Sequence, residues 1–388
     1  MVSTPVQPNQ RIHYLDVVRG FAITGVLFAY VAWNLGNAPA DTYSAFDIVL
    51  DKTTSFIIDS KCYTLLANLF AIGFVLHMSK TGNPARSLYI YRKRLVGLLI
   101  IGLLHAILLR NGDILAPYAL LMLVVSFLYT SSNRTIIIVM VITFFLSILI
   151  PETGRMLQLS FPQRPAAGDA NYWVDNFEWV KYWYTTAIFY WESTLFFLFS
   201  GLLLGRVFIQ NKKQLTNTQL KTVAVLGLIA GAASYCVLKF YNDELSRLPD
   251  LGNTRIIRGT LNSMLWLIHK VGLASAYASV LFLLCQRFRF TIWANLGRMS
   301  LTNYILQAII VVPVCLFFNL FERITPSIAL IMAASIWIIQ VWFSQWWLRR
   351  HRFGPLEWAL RRFTYGKTID RKKVKEEVEF VASGSAVL

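Results

Sequence analysis

Arg94, His105 and Asp113 follow one another along a stretch of chain that a helix would draw into a line. Arg94 and His105 are separated by close to three helical turns, so they share a face, with the imidazole roughly 16 Å deeper. A cationic cluster, Arg92, Lys93 and Arg94, above a titratable imidazole suits a polyphosphate-bearing donor whose reactive end reaches into an apolar layer. Asp113 lies about two turns beyond His105. Paired with it, the carboxylate fixes the tautomer and raises the basicity of the ring. The same residues also fit plainer roles. Arg92 to Arg94 suit membrane-surface anchors, His105 a packing position, and Asp113 an N-cap after the Asn111-Gly112 turn.

Other chemistry-bearing residues sit at comparable depths in apolar runs. Glu192 and Lys270 are opposite charges at matched depth, which predicts an ion pair inside a helix bundle. His269 precedes Lys270 and points about 100° away from it. Ser300, Asn303 and Gln307 form one helical stripe; such residues line a polar chamber or bond helix to helix. Asp16 and Arg19 are one turn apart at the start of the first apolar run, and Arg298 stands before the stripe. Arg19, Arg92, Arg94 and Arg298 together are candidate phosphate contacts. Glu192, His269, Lys270, Asn303 and Gln307 are candidate chamber residues. No Cys pair has metal or redox spacing.

The elements that must position these residues are membrane helices. Hydrophobic residues make up 56% of the 388, and charged residues 15%, too apolar for a soluble domain of this size. Ten runs are candidate spans, near 17–35, 62–78, 95–110, 114–130, 135–150, 184–205, 220–240, 261–286, 294–320 and 326–348. They are continuous rather than alternating, which predicts helices and not a barrel. With the connections placed on alternating faces, one face holds 25 of the 37 Lys+Arg and 6 of the 20 Asp+Glu; the other holds 11 and 13. This positive-inside split places both termini in the cytoplasm. The +17 net charge therefore reads as topology and contact with an anionic leaflet, without nucleic acid.

The expected architecture is all-α: a polytopic integral membrane bundle of about ten transmembrane helices. Residues 1–366 form a single domain, and 367–388 a charged cytoplasmic tail. Gly36–Lys61, Pro151–Trp183 and Phe240–Thr260 are the long external connections, and Trp173, Phe177, Val180 and Tyr184 predict an amphipathic helix in the second of them. Ala38-Pro39-Ala40 resembles a signal-peptidase site, but the following spans obey the charge rule only if the first is retained. Cys62, Cys236, Cys285 and Cys315 are isolated and fit buried apolar positions. There is no Walker loop, GxSxG elbow or HExxH.

LDVVRG at 15–20, RLVGLLIIGLLHAILLRNGDILAPYAL at 94–120, GRMSLTNYILQ at 297–307 and FGPLEWALRRFTYG at 353–366 together resemble the YeiB-like family of bacterial inner-membrane proteins, the domain-of-unknown-function group DUF418. That family is distantly similar to the transmembrane acyltransferase superfamily through the LDxxRG start of the first helix and the basic start of the third. The resemblance implies an acyl-CoA donor bound from the cytoplasm, not held covalently, and a small-molecule, lipid or sugar acceptor reached from outside. Where many superfamily members carry a catalytic His or Asn at the far end of the first helix, this chain has Tyr30. The sequence expectation is thus an acyltransferase of the bacterial inner membrane, with His105 as general base and Asp113 orienting it. Its partners are the bilayer, the acceptor and, in one arrangement, a second copy of the chain. The alternative is a transporter or export component for a small amphiphile, with Glu192, Lys270 and His105 along a polar pathway.

Overall fold

The computed structural model describes residues 12–33, 38–79, 83–109, 113–156, 172–186, 192–211, 215–245, 252–321 and 323–366. The charged tail from Lys367 onward and the Asn111-Gly112 turn lie outside them. The described chain is helical throughout: α1 (His13–Trp33), α2 (Ala45–Ile57), α3 (Lys61–Met78), α4 (Pro84–Leu108), α5 (Leu115–Phe127), α6 (Asn133–Met156), α7 (Tyr172–Thr186), α8 (Glu192–Gly205), α9 (Asn217–Leu245), α10 (Gly252–Cys285), α11 (Thr291–Arg298), α12 (Ser300–Phe317), α13 (Pro326–Arg350) and α14 (Pro355–Tyr365).

Seven of the described helical segments are long and apolar enough to cross a membrane. The count of ten is not confirmed: the runs near 95–110, 114–130 and 135–150 do not meet that length and composition among the described residues. α5 has 13 residues, and α6 runs Asn133–Met156 with Asn133–Leu146 as its described apolar part. In α4, Arg92 to Arg94 occupy the middle of a 25-residue helix and leave a shorter apolar half. Connections expected to be loops are also helical. α2 occupies half of Gly36–Lys61 and joins α3 into one 34-residue apolar stretch, Ala45–Met78, broken at Ile58–Ser60. Phe240–Thr260 is mostly the ends of α9 and α10, whose charged residues conceal the helical period.

Start signals are legible at several helices. Ser44 and Asp47 form a capping box on α2. Pro84 and Pro326 stand in the first turns of α4 and α13, where a missing N–H costs nothing, and Asn83 and Thr325 cap those helices. Small residues set the closest crossings. The Cβ that Gly227 lacks would lie 2.5 Å from Gly272 O, so α9 and α10 touch backbone to backbone. Outward positions remain apolar: Ile137 and Ile138 on α6, Leu226 and Ile229 on α9, Ile331, Ile338 and Trp342 on α13 are exposed in a belt that suits lipid.

Candidate functional site

The four sequence motifs meet at one cavity. Gly20 of α1 and Gly297 of α11 lie where the two helices cross. A Cβ on Gly20 would sit 1.8 Å from Trp293 O, and one on Gly297 1.9 Å from Asp16 O, so only two glycines allow this approach. The crossing brings Asp16 and Arg19 beside Arg298 at the rim of a cavity of about 280 Å³. α3 contributes Gly73 and His77, α4 Tyr91, Arg94 and Leu98, and α14 Leu360 and Arg361. Below this rim the walls are apolar, with Ile23, Leu66, Leu69 and Phe70, and the floor is formed by Ile114, Leu115, Tyr118 and Tyr304.

Among the described residues, Arg19, Arg94, Arg298 and Arg361 give this cavity four guanidinium groups beside two carboxylates. One of those, Asp16, lies 3.2 Å from Arg19. The other, Glu357, is turned away into structure: Oε1 accepts from Leu301 N at 2.8 Å and Thr302 N at 3.0 Å, and Oε2 from Thr302 Oγ1 at 2.6 Å. It satisfies the first N–H groups of α12 and fastens α14 across the mouth. Burial raises the carboxyl of Glu357 above its ordinary range, and these donors only partly oppose that. Guanidinium groups at this rim suit a polyanion.

Arg92 is not part of this cavity. Two residues along a helix turn about 200°, so Arg92 and Arg94 face opposite ways. Arg92 Nε donates to Ser126 Oγ at 3.1 Å, and its guanidinium lies 4.0 Å from the Phe127 ring.

Beneath the floor is a buried polar group. His105, Asp113 and Tyr304 are 3%, 8% and 5% exposed. His105 Nδ1 is 3.2 Å from Asp113 Oδ1. Tyr304 OH donates to Asp113 Oδ1 at 2.9 Å and accepts from Ile114 N at 3.0 Å. Asp113 Oδ2 accepts from Ala116 N at 2.7 Å. Asp113 Oδ2 thus caps the start of α5, while Oδ1 takes the Tyr304 hydroxyl and lies nearest the imidazole. A proton on Nδ1, the nitrogen nearer the carboxylate, leaves the Nε2 lone pair free. Neither Nδ1 nor Nε2 makes a hydrogen bond among the described residues, Nδ1 being within ion-pair distance of Asp113 only.

His105 itself does not line the cavity, although the shared face with Arg94 leads one to expect it. Gly102 is the reason. A Cβ there would lie 2.5 Å from Ala116 N and 2.7 Å from Asp113 Oδ2, so the start of α5 closes against α4 below Leu98. Tyr304, whose ring centroid is 5.0 Å from that of His105, stands between imidazole and cavity. On the far side α7 covers the end of α4: Asn176 Nδ2 donates to Ala106 O at 2.9 Å and Ile107 O at 3.1 Å, and Tyr172 OH to Leu109 O. The expected amphipathic α7 is present with its stripe shifted. Asn176 and Val180 face inward, while Trp173 and Phe177 are exposed.

The remaining candidates lie elsewhere. Asn303 is fully buried and ties α12 to α13, bonding Ser344 Oγ at 3.0 Å and receiving Gln340 Nε2 on its carbonyl at 2.8 Å. Gln307 is fully buried with neither amide atom bonded among the described residues. His269 and Lys270 are on α10 in a separate cluster. The Glu192 side chain lies outside the described residues, and its expected pairing with Lys270 with it. Sequence reasoning passed over Tyr304, Glu357 and Arg361, although all three stand in the motifs at 297–307 and 353–366.

Residues 204–367, which contain both of those motifs, match DUF418, described as a protein of unknown function. A 71-residue segment, 18% of each chain, is 38% identical to the uncharacterized protein YeiB of Escherichia coli (strain K12). Residues 204–367 are thus similar to DUF418, and a shorter segment is similar to YeiB. The similarity of the chain to other uncharacterized bacterial proteins runs nearly end to end. The protein YxaH of Bacillus subtilis (strain 168) is 26% identical over 93% of this chain and 96% of its own length. A 39.9 kDa protein in amylase 3'region of Bacillus acidopullulyticus is 26% identical over 94% and 96%. The matched segment supplies Arg298, Tyr304, Glu357 and Arg361, while Arg19, Arg94, His105 and Asp113 come from the part before it.

Proposed function

We propose that this protein is a membrane acyltransferase that draws an acyl group from an acyl-CoA held at the cavity mouth and passes it to an acceptor approaching from the opposite face. The observation that carries this reading is the layered site: four arginines at the rim, an apolar shaft beneath, and Tyr304, Asp113 and His105 as the polar layer below the floor. Arg19, Arg94, Arg298 and Arg361 suit the donor phosphates, and the shaft suits the acyl thioester. His105 Nε2 takes the proton from an acceptor hydroxyl or amine. The acceptor's oxygen or nitrogen bonds to the thioester carbonyl carbon, the carbon–sulfur bond breaks, and the thiolate leaves with that electron pair and later takes up a proton. Asp113 stabilises the imidazolium formed in between, and Tyr304 OH holds Asp113 in place.

In this reading the mouth faces the cytoplasm of a bacterial inner membrane, ten spans cross it, and both termini are cytoplasmic, as the charge split supports. Calorimetry with CoA on the purified protein, followed by thiol release from acyl-CoA with His105→Gln as comparison, tests it. Binding of CoA, with thiol release lost in the variant, supports transfer. Absence of CoA binding, with an amphiphile alone co-purifying, ends it in favour of transport.

A further inference from the structure

One glycine of the cavity wall has no helix crossing to explain it. Leu66, Leu69, Phe70, Gly73, Leu76 and His77 of α3 line the cavity at the three- and four-residue spacing of one helical face, with Gly73 near its centre. The other face of α3 is filled. A Cβ on Gly201 of α8 would lie 2.5 Å from Asn68 O, and one on Gly205 2.8 Å from Val75 Cγ2. Gly20, Gly97, Gly227 and Gly297 likewise sit where a side chain would strike another helix. A Cβ on Gly73 would meet nothing within 4 Å. Glycine in mid-helix is destabilising relative to alanine, so packing alone gives no reason for one here.

What the missing side chain leaves open is the apolar shaft. His77 Nε2 lies 3.2 Å from Ser87 O, and about one turn deeper the Phe74 and Tyr91 ring centroids are 4.5 Å apart, so α3 and α4 run antiparallel. A helical side chain covers the turn before its own Cα. On α3 that turn leads away from the rim, so a side chain at 73 would lie toward Leu69 and Phe70. The Phe70 ring centroid is in turn 6.4 Å from that of Tyr118 on the floor. The space beside Gly73 therefore belongs to the column between the rim arginines and the floor, where Ile23, Leu69, Phe70 and Leu98 form the walls.

We propose that Gly73 determines which substrates this cavity accepts: lacking a side chain, it leaves the shaft to a short apolar chain whose phosphate-bearing head is held at the rim. The chain lies along α3 past Gly73 and ends at Tyr118 and Tyr304. A cavity of about 280 Å³ for head and chain together sits just under the roughly 300–1,000 Å³ of pockets for drug-sized ligands, so the chain is short. That the chain is the acyl group of a thioester rests on the transfer reading; the role of Gly73 does not.

Calorimetry on the purified full chain tests this with two series: CoA, acetyl-CoA, butyryl-CoA and hexanoyl-CoA, and ethyl, butyl and hexyl phosphate as heads without the coenzyme. In the parent, each methylene buried in the shaft should tighten binding about fourfold until the chain meets the floor. Gly73→Leu should flatten that gain while binding CoA and ethyl phosphate as the parent does, because its side chain lies below the rim. Gly73→Ala, which has room in the fold, should give an intermediate gain. The same gain in the parent and both variants overturns the role of Gly73, and so does a loss in Gly73→Ala that is equal for CoA and every chain length. Alkyl phosphates graded as expected without any binding of CoA end the transfer reading and leave Gly73 its role. CoA binding with no gain along either series does the reverse.

Discussion

Replacing Gly297 by Ala probes the α1–α11 crossing on which the cavity depends. The added Cβ would lie 1.9 Å from Asp16 O and 2.8 Å from Gly20 N, both backbone atoms that no rotamer change can move. Bringing the first contact to the 3.0 Å limit of real Cβ contacts requires the helices to part by about 1.1 Å. Overpacking a well-packed site typically costs 1–3 kcal/mol, and with backbone on both sides the upper end applies. Separation also moves Asp16 and Arg19 away from Arg298. Gly73→Ala is the opposite case: it lies in the same cavity wall, but its Cβ would meet nothing within 4 Å. Replacing a helical glycine by alanine where there is room gains about 0.4–1 kcal/mol. Thermal unfolding in detergent should show Gly297→Ala several degrees below the parent and Gly73→Ala at or above it. Equal melting of the two variants would refute the crossing geometry.

Arg94→Ala should weaken CoA binding by about 1.5–3 kcal/mol, and Arg92→Ala should leave it unchanged by calorimetry, because the two side chains face opposite ways. Tyr304→Phe removes the hydroxyl shared by Asp113 and the Ile114 N–H; a loss of about 1–3 kcal/mol is expected in denaturation, the cost of stranded buried polar groups. Glu357 has a folded pKa raised above 4.5, so its proton is bound more tightly in the folded state. That contribution is complete below 4.5 and is lost as pH rises through the folded value. Melting temperatures of the parent should fall over that window more than those of Glu357→Gln, and parallel profiles would argue against a raised carboxyl.

Composition and charge order alone determined the class of this protein, because only helices or closed barrels satisfy the backbone in lipid and continuous apolar runs select helices. The spacing of Arg94, His105 and Asp113 was equally readable, since one helix and its following turn carry all three and local geometry fixes their order. What the sequence could not decide is what lies between them. Gly102 lets α5 close against α4, and Tyr304, almost 200 residues away, then stands between His105 and the cavity. The partnership of Glu357 with the start of α12, and the arrival of Arg361 at the rim in place of Arg92, likewise depend on helix crossings. Those crossings are set by glycine contacts between distant segments, which no local period encodes.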